Sequence, residues 1–174
     1  MAQFEPPTPE SLVERIEAGV ELSADQKTKI IKYYSDAMDN AGQGGGRGMM
    51  GMGRGGSLPE EVAAILTADQ VKKYDAYTLQ QSIDRRLNPI DEAVTLTADQ
   101  KTKVTDVIKK EIDASNKMSA EMMAQGENAD FQSMMDDRAA LREATDAALA
   151  KILTKDQLTK YNAMPRGRGG FGGM

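Results

Sequence analysis

The chain contains neither cysteine nor histidine. Without Cys there is no disulfide, no thiolate metal site and no thiol nucleophile, and that absence fits either redox compartment. Without His, the commonest general base and the commonest transition-metal ligand are both missing. Tryptophan is absent too, so with three Phe and five Tyr the apolar bulk falls to Leu, Ile, Val, Ala and twelve Met. Such a composition favours thin helical layers over a thick sheet-based core. No apolar run reaches the ~18 residues of a membrane span, so no transmembrane segment is expected. Nor does a basic stretch followed by an apolar one open the chain, so no signal peptide is expected in it. Gln3-Phe4-Glu5-Pro6-Pro7 reads equally as the start of a mature exported protein or of a cytoplasmic one. The net charge of −5 speaks against nucleic acid as the partner, since phosphate binding wants a basic footprint. No Gly-rich loop ends in Lys-Ser/Thr and no Ser can pair with a His, so neither an enzyme nor a cofactor is expected.

What the chain does have is an internal repeat. Four short stretches match: Leu22-Ser-Ala-Asp-Gln26, Leu66-Thr-Ala-Asp-Gln70, Leu96-Thr-Ala-Asp-Gln100 and Leu153-Thr-Lys-Asp-Gln157. The first and third continue almost identically, as Gln26-Lys-Thr-Lys-Ile30 and Gln100-Lys-Thr-Lys-Val104. The second and fourth share a preceding Ile (Ile65, Ile152) and a later Lys-Tyr-[Asp/Asn]-Ala. The order is therefore A-B-A-B, two units beginning near residues 20 and 94.

Each motif has a physical reading of its own. A hydroxyl at Ser23, Thr67, Thr97 or Thr154, followed three residues later by Gln, is a capping box worth about 1 kcal/mol to a helix start. The Asp of each copy sits in the first turn, against the positive end of the helix dipole. A Lys follows it at i+4 in the favourable acid-before-base order: Asp25/Lys29, Asp69/Lys73, Asp99/Lys103 and Asp156/Lys160. The leucines Leu22, Leu66, Leu96 and Leu153 precede the caps at the staple position. Read from its residues, each motif marks a helix start.

The expected layout is all-α: two tandem helical-hairpin units forming a thin, extended or curved assembly. An N-terminal arm (1–19) carries a short helix from Thr8-Pro9, with Leu12, Val13 and Ile16 on one face and Gly19 at its end. The first unit spans 20–88, with Ile30, Tyr34 and Met38 on its first helix and a Gly/Met/Arg loop at 42–56. A helix starting at Ser57-Leu-Pro-Glu-Glu61 bends at the Thr67 cap, and the apolar set Val71, Tyr74, Leu79, Ile83, Leu87 follows until Asn88-Pro89 breaks it. The second unit spans 89–164. One long helix carries Val104, Val107, Ile108, Ile112, Met118 and Met122; Gly126 to Asn128 turn the chain. A second carries Phe131, Met134, Leu141, Ala148 and Ile152, making an antiparallel hairpin. Residues 165–174 form a Gly/Arg tail.

With the second unit laid out, the chain resembles the LTxxQ (Spy/CpxP-like) family of bacterial envelope chaperones. Leu96-Thr-Ala-Asp-Gln100 with Lys101 opens the hairpin, Ile152-Leu-Thr-Lys-Asp-Gln157 closes it, and Tyr161-Asn162-Ala163 matches the family's end. The likeness covers 94–164 and, in shortened form, 20–80. It implies a periplasmic, stress-related protein that holds unfolded or partly folded clients without ATP, as a curved homodimer. This chain departs from the family in carrying two motif pairs. That departure suggests an intramolecular pseudo-dimer of the two units instead. It also lacks the His of the family's metal-sensing branch.

Two segments are candidates for function. Met118, Met122, Met123, Met134 and Met135 cluster about the second hairpin's tip, and with Val107, Phe131 and Leu141 they form the candidate client surface. Met suits surfaces that bind many partners, and it equally fills an aromatic-poor core. Met49, Met50 and Met52 in the glycine loop are three soft thioethers, a candidate Cu(I) site or an incidental feature of a flexible linker. A Met-based copper-binding or metal-responsive protein is thus the alternative to a chaperone, and a structural module with a single partner is the third reading. The tail from Pro165 has too few Arg and aromatic residues for the RNA-binding role its RGG-like character suggests.

Overall fold

A computed structural model describes residues 7–42, 58–125 and 130–164. Among them there are seven helices and no strand: α1 Pro9–Glu17, α2 Ala24–Gly42, α3 Glu60–Ile65, α4 Ala68–Val94, α5 Ala98–Gln125, α6 Phe131–Ala150 and α7 Lys155–Ala163. The protein is all-α. It divides into two compact units, residues 1–81 and 82–174, with the division inside α4.

All four capping boxes form. Gln26 N–H donates to Ser23 Oγ (3.3 Å) and Ser23 N–H to Gln26 Oε1 (3.0 Å), and the same reciprocal pair opens α4, α5 and α7. The Asp–Lys pairs expected at i+4 behind the caps do not close as ion pairs. The Lys directly after each A motif reaches back instead to the preceding helix: Lys27 to Glu17 at 2.5 Å and Lys101 to Asp91 at 2.6 Å. The i+4 lysines, Lys29 and Lys103 among them, are different residues, and an exposed pair of that kind attracts too weakly to offset the side-chain entropy it costs.

In the first unit α1 lies on α2 and α3 packs against α2. Thr8 caps α1, and Leu12, Val13 and Ile16 are buried as their 3–4 spacing predicts. They join Val20, Ile30, Tyr34, Val62, Leu66 and Tyr74 in one core. The chain passes Gly19 so closely to the Tyr77 ring that a Cβ would sit 2.6 Å from it, so glycine there serves close approach as well as ending a helix. Burial pushes the Tyr34 hydroxyl up to about 12 and also raises Tyr74.

In the second unit α5 and α6 pack against each other. The start of α5 lies by the end of α6, where Gln100 Nε2 donates to the Ile152 carbonyl at 3.0 Å. At the other end Met118 and Met122 of α5 share a cleft with Met134 of α6, so the pair is the expected antiparallel hairpin. The face expected on α6 is shifted, because Leu149 is the buried residue while Ala148 and Ile152 are half-buried. Alanines at 139, 140, 144, 147, 148 and 150 fit any helical phase, so the periodicity of this helix is poorly marked.

The break expected at Asn88-Pro89 is not there, and α4 runs through Pro89 to Val94. A proline inside a helix costs about 3 kcal/mol. Burial of Ile90 and Val94, each worth roughly 1.5–3 kcal/mol, is large enough to offset that cost. Two ion pairs, Arg86–Glu111 at 2.8 Å and Asp91–Lys101, hold this last part of α4 antiparallel to α5. The helix ends at Thr95, which stands at φ 54°, left-handed backbone that a β-branched residue rarely adopts.

With α4 intact, the repeat reaches further upstream than the motifs. Ile16, Glu17 and Val20 match Ile90, Asp91 and Val94, each 74 positions on, as Leu22 matches Leu96. Ile30 and Tyr34 likewise match Val104 and Ile108, and all of these except the two acids and the half-buried Leu22 are buried. Each unit is thus a preceding helix, an A motif helix, a return helix and a B motif helix around one small core.

Candidate functional site

The two motifs of each unit meet. Gln26 Nε2 donates to Gln70 Oε1 at 2.8 Å, and Gln70 Nε2 donates back to Gln26 Oε1 at 3.1 Å. The second amide hydrogens go to backbone carbonyls just before the partner motif: Gln26 to Ile65 at 3.0 Å and Gln70 to Glu21 at 2.8 Å. Gln100 and Gln157 repeat the arrangement at 2.8 and 3.1 Å, with Ile152 O and Thr95 O in the equivalent places. Each glutamine therefore uses both hydrogens on the partner motif, while its oxygen serves its own cap and the partner amide. Local twofold symmetry follows, because two equivalent helix starts face each other with one amide each. These residues hold each unit together internally, and their polar groups are saturated by one another and by neighbouring backbone. Asp91 contributes from the side: the Lys101 ammonium, then the Leu96 N–H at 2.9 Å, lower its carboxyl below the usual value.

At the far end of the hairpin the packing is different. Among the described side chains, the last buried one along α5 is Ile112 and the only one on α6 is Leu149. Between them, none of the side chains described is buried. Here Met118, Met122 and Met134 come together in a half-open cleft of about 90 Å³, lined also by Glu121, Asp130, Ser133 and Asp137. The three methionines are half-buried. Met135 lies away from this lining, 51% exposed, while Val107 and Leu141 are half-buried. The side chains of Met123 and Phe131, and the loop residues Met49, Met50 and Met52, lie outside the described residues.

Of the acidic lining, Asp137 belongs to the pair Asp136-Asp137 that the sequence already sets beside the methionines as a source of long-range attraction, whereas Glu121 and Asp130 stand apart from it in the chain. Asp130 is the N-cap of α6, accepting from Gln132 N–H (3.0 Å) and Ser133 N–H (3.2 Å). An Asp ahead of an apolar-periodic run is a cap signal that could have located it. Glu121 faces Lys117 at 4.0 Å with both side chains exposed, a pair worth little. Glu121 lies one turn below Met118 and Asp137 one turn above Met134, so both carboxylates fall on the thioether face. The site can thus offer soft, deformable apolar surface under a negative potential.

No protein-family model, curated protein or solved structure matches this chain.

Proposed function

We propose that the protein is an ATP-independent holdase of the LTxxQ type, acting in the periplasm and holding partly unfolded proteins on the outer half of its α5–α6 hairpin. The observation that carries this is the contrast along α5. Val104, Ile108 and Ile112 are buried, whereas Met118 and Met122 one to three turns further on stay half-open. Among the described residues of the second unit that end is built from α5 and α6, and none of the side chains described there is buried. Methionine suits such a surface, since three rotatable bonds let it repack against unlike clients. The carboxylates in the lining add attraction for cationic segments. The saturated glutamine pairs at the base keep the hairpin together while its outer half adapts.

Suppression of aggregation of a chemically denatured client, measured by light scattering without nucleotide, tests this. The wild type is expected to suppress at near-stoichiometric amounts, and a Met122→Asp/Met134→Asp variant of unchanged helicity to lose most of the effect. No suppression by the wild type at several-fold molar excess would sink the reading.

A further inference from the structure

We propose that the cleft near the tip of the hairpin is a binding site for one soft monovalent cation, Cu(I) or Ag(I), with the thioethers of Met118, Met122 and Met134 as ligands. Met118 and Met122 are four residues apart on α5 and so share a face, and Met134 enters from α6 opposite. The helical hairpin thereby assembles three sulfur donors, distant in sequence, in one space of about 90 Å³. A single ion fits there without displacing any core residue, since water itself takes up only about 30 Å³.

The donor set selects the metal. Thioethers are soft and neutral and favour Cu(I) over Zn, Mg or Ca. Among the described residues no three carboxylates stand close enough together to hold a metal ion, so a hard cation finds no cage. Glu121, Asp130 and Asp137 act at longer range, placing negative charge around a site whose direct ligands carry none. With no Cys or His anywhere in the chain, thioether is the softest donor it possesses, and nothing stronger competes for the ion. The methionines are half-buried and line an open cleft, while the α5–α6 pairing limits the rotamers they lose on closing round a ligand.

Leucine separates metal binding from client binding, because it keeps apolar bulk and helicity and removes only the sulfur. The experiment is titration of the full chain with Ag(I), followed by methionine-methyl NMR, and Cu(I) competition against a chromophoric chelator. It compares wild type with M118L/M122L/M134L and with M49L/M50L/M52L in the glycine loop. The expected result is one equivalent bound, methyl shifts at Met118, Met122 and Met134, and affinity lower by about tenfold or more in the hairpin variant alone. Absence of binding, or loss confined to the loop variant, would overturn the proposal. Aggregation suppression by the leucine variants is read in parallel, and its retention leaves the holdase reading standing whichever way the metal result falls.

Discussion

Residues 16–34 and 90–108 are close to the same segment written twice, yet they stand at the base of two differently finished structures. In the first unit the A helix carries Tyr34, and α1 adds Leu12, Val13 and Ile16, so the core includes aromatic rings and is closed on several sides. In the second unit Ile108 replaces Tyr34, and the A helix runs on well past its last buried residue, Ile112. The glutamine pair at the base is the same in both to within the scatter of its distances. What differs is how much helix that base is asked to carry. A conserved joint, saturated in hydrogen bonds, lets the segments beyond it change length: the two motifs are 44 residues apart in the first unit and 57 in the second.

The largest expected effect breaks the joint in one unit at a time. Gln70→Ala or Gln157→Ala leaves a cap amide and a backbone carbonyl short of one bond each and the partner amide short of two, at a cost of about 2 kcal/mol. Because four of the five tyrosines (Tyr33, Tyr34, Tyr74, Tyr77) belong to the first unit, near-ultraviolet circular dichroism reports that unit almost alone. Gln70→Ala should therefore move the tyrosine-monitored midpoint. Gln157→Ala should instead weaken hydrogen-exchange protection about Val104 and Ile108. Equal effects of both variants on both probes would show that the units do not unfold separately. Adding Gln100→Ala to Gln157→Ala should cost less than the sum of the single changes, since one joint is lost only once.

Alkali sharpens the same comparison. Tyr34 is held protonated to about 12 in the folded state, and an unfolded tyrosine ionises near 10. The folded first unit thus keeps a proton that its unfolded chain releases, and its stability falls as pH rises above 10. Ile108 in the equivalent place has nothing to ionise. Tyrosine-monitored melts should shift down between pH 10 and 11.5 ahead of the loss of protection in α5; simultaneous loss would contradict the assignment.

A smaller effect, and a stabilising one, is expected at Thr95. It shares its place in the joint with Glu21, and each carbonyl accepts from the glutamine of the B motif. Only Thr95 has the left-handed backbone, so Thr95→Gly should relieve strain and raise the second unit's stability by about 1 kcal/mol in urea denaturation. A loss of stability would mean that the Thr side chain contributes more than its backbone costs.

Much of this was legible in the residues. The four helix starts were written locally, because a capping box is made of side chains three apart that satisfy their own backbone. The faces of α1, α2 and α5 followed from 3–4 spacing, since their Ile, Val and Tyr are separated by polar residues. Less marked was α6, whose alanines carry little phase. The candidate surface at 107–141 was located by its methionines and by the neighbouring pair Asp136-Asp137, yet Glu121 and Asp130 were not, because nothing local says that they line the same cleft.

By itself the sequence determined the helices, their caps, the A-B-A-B order and the scarcity of aromatic and metal-binding side chains. All of these depend on residue identity over a few neighbouring positions. The tertiary structure decided that α4 passes through Pro89, because burial of Ile90 and Val94 outweighs a local penalty only once there is a core to be buried in. It also decided that Lys27 and Lys101 pair with the preceding helix, that the motif glutamines join across 44 and 57 residues, and that Met118, Met122 and Met134 meet. Each of those is a contact between groups far apart in the chain, and pairing at that range comes from packing that local propensity does not encode.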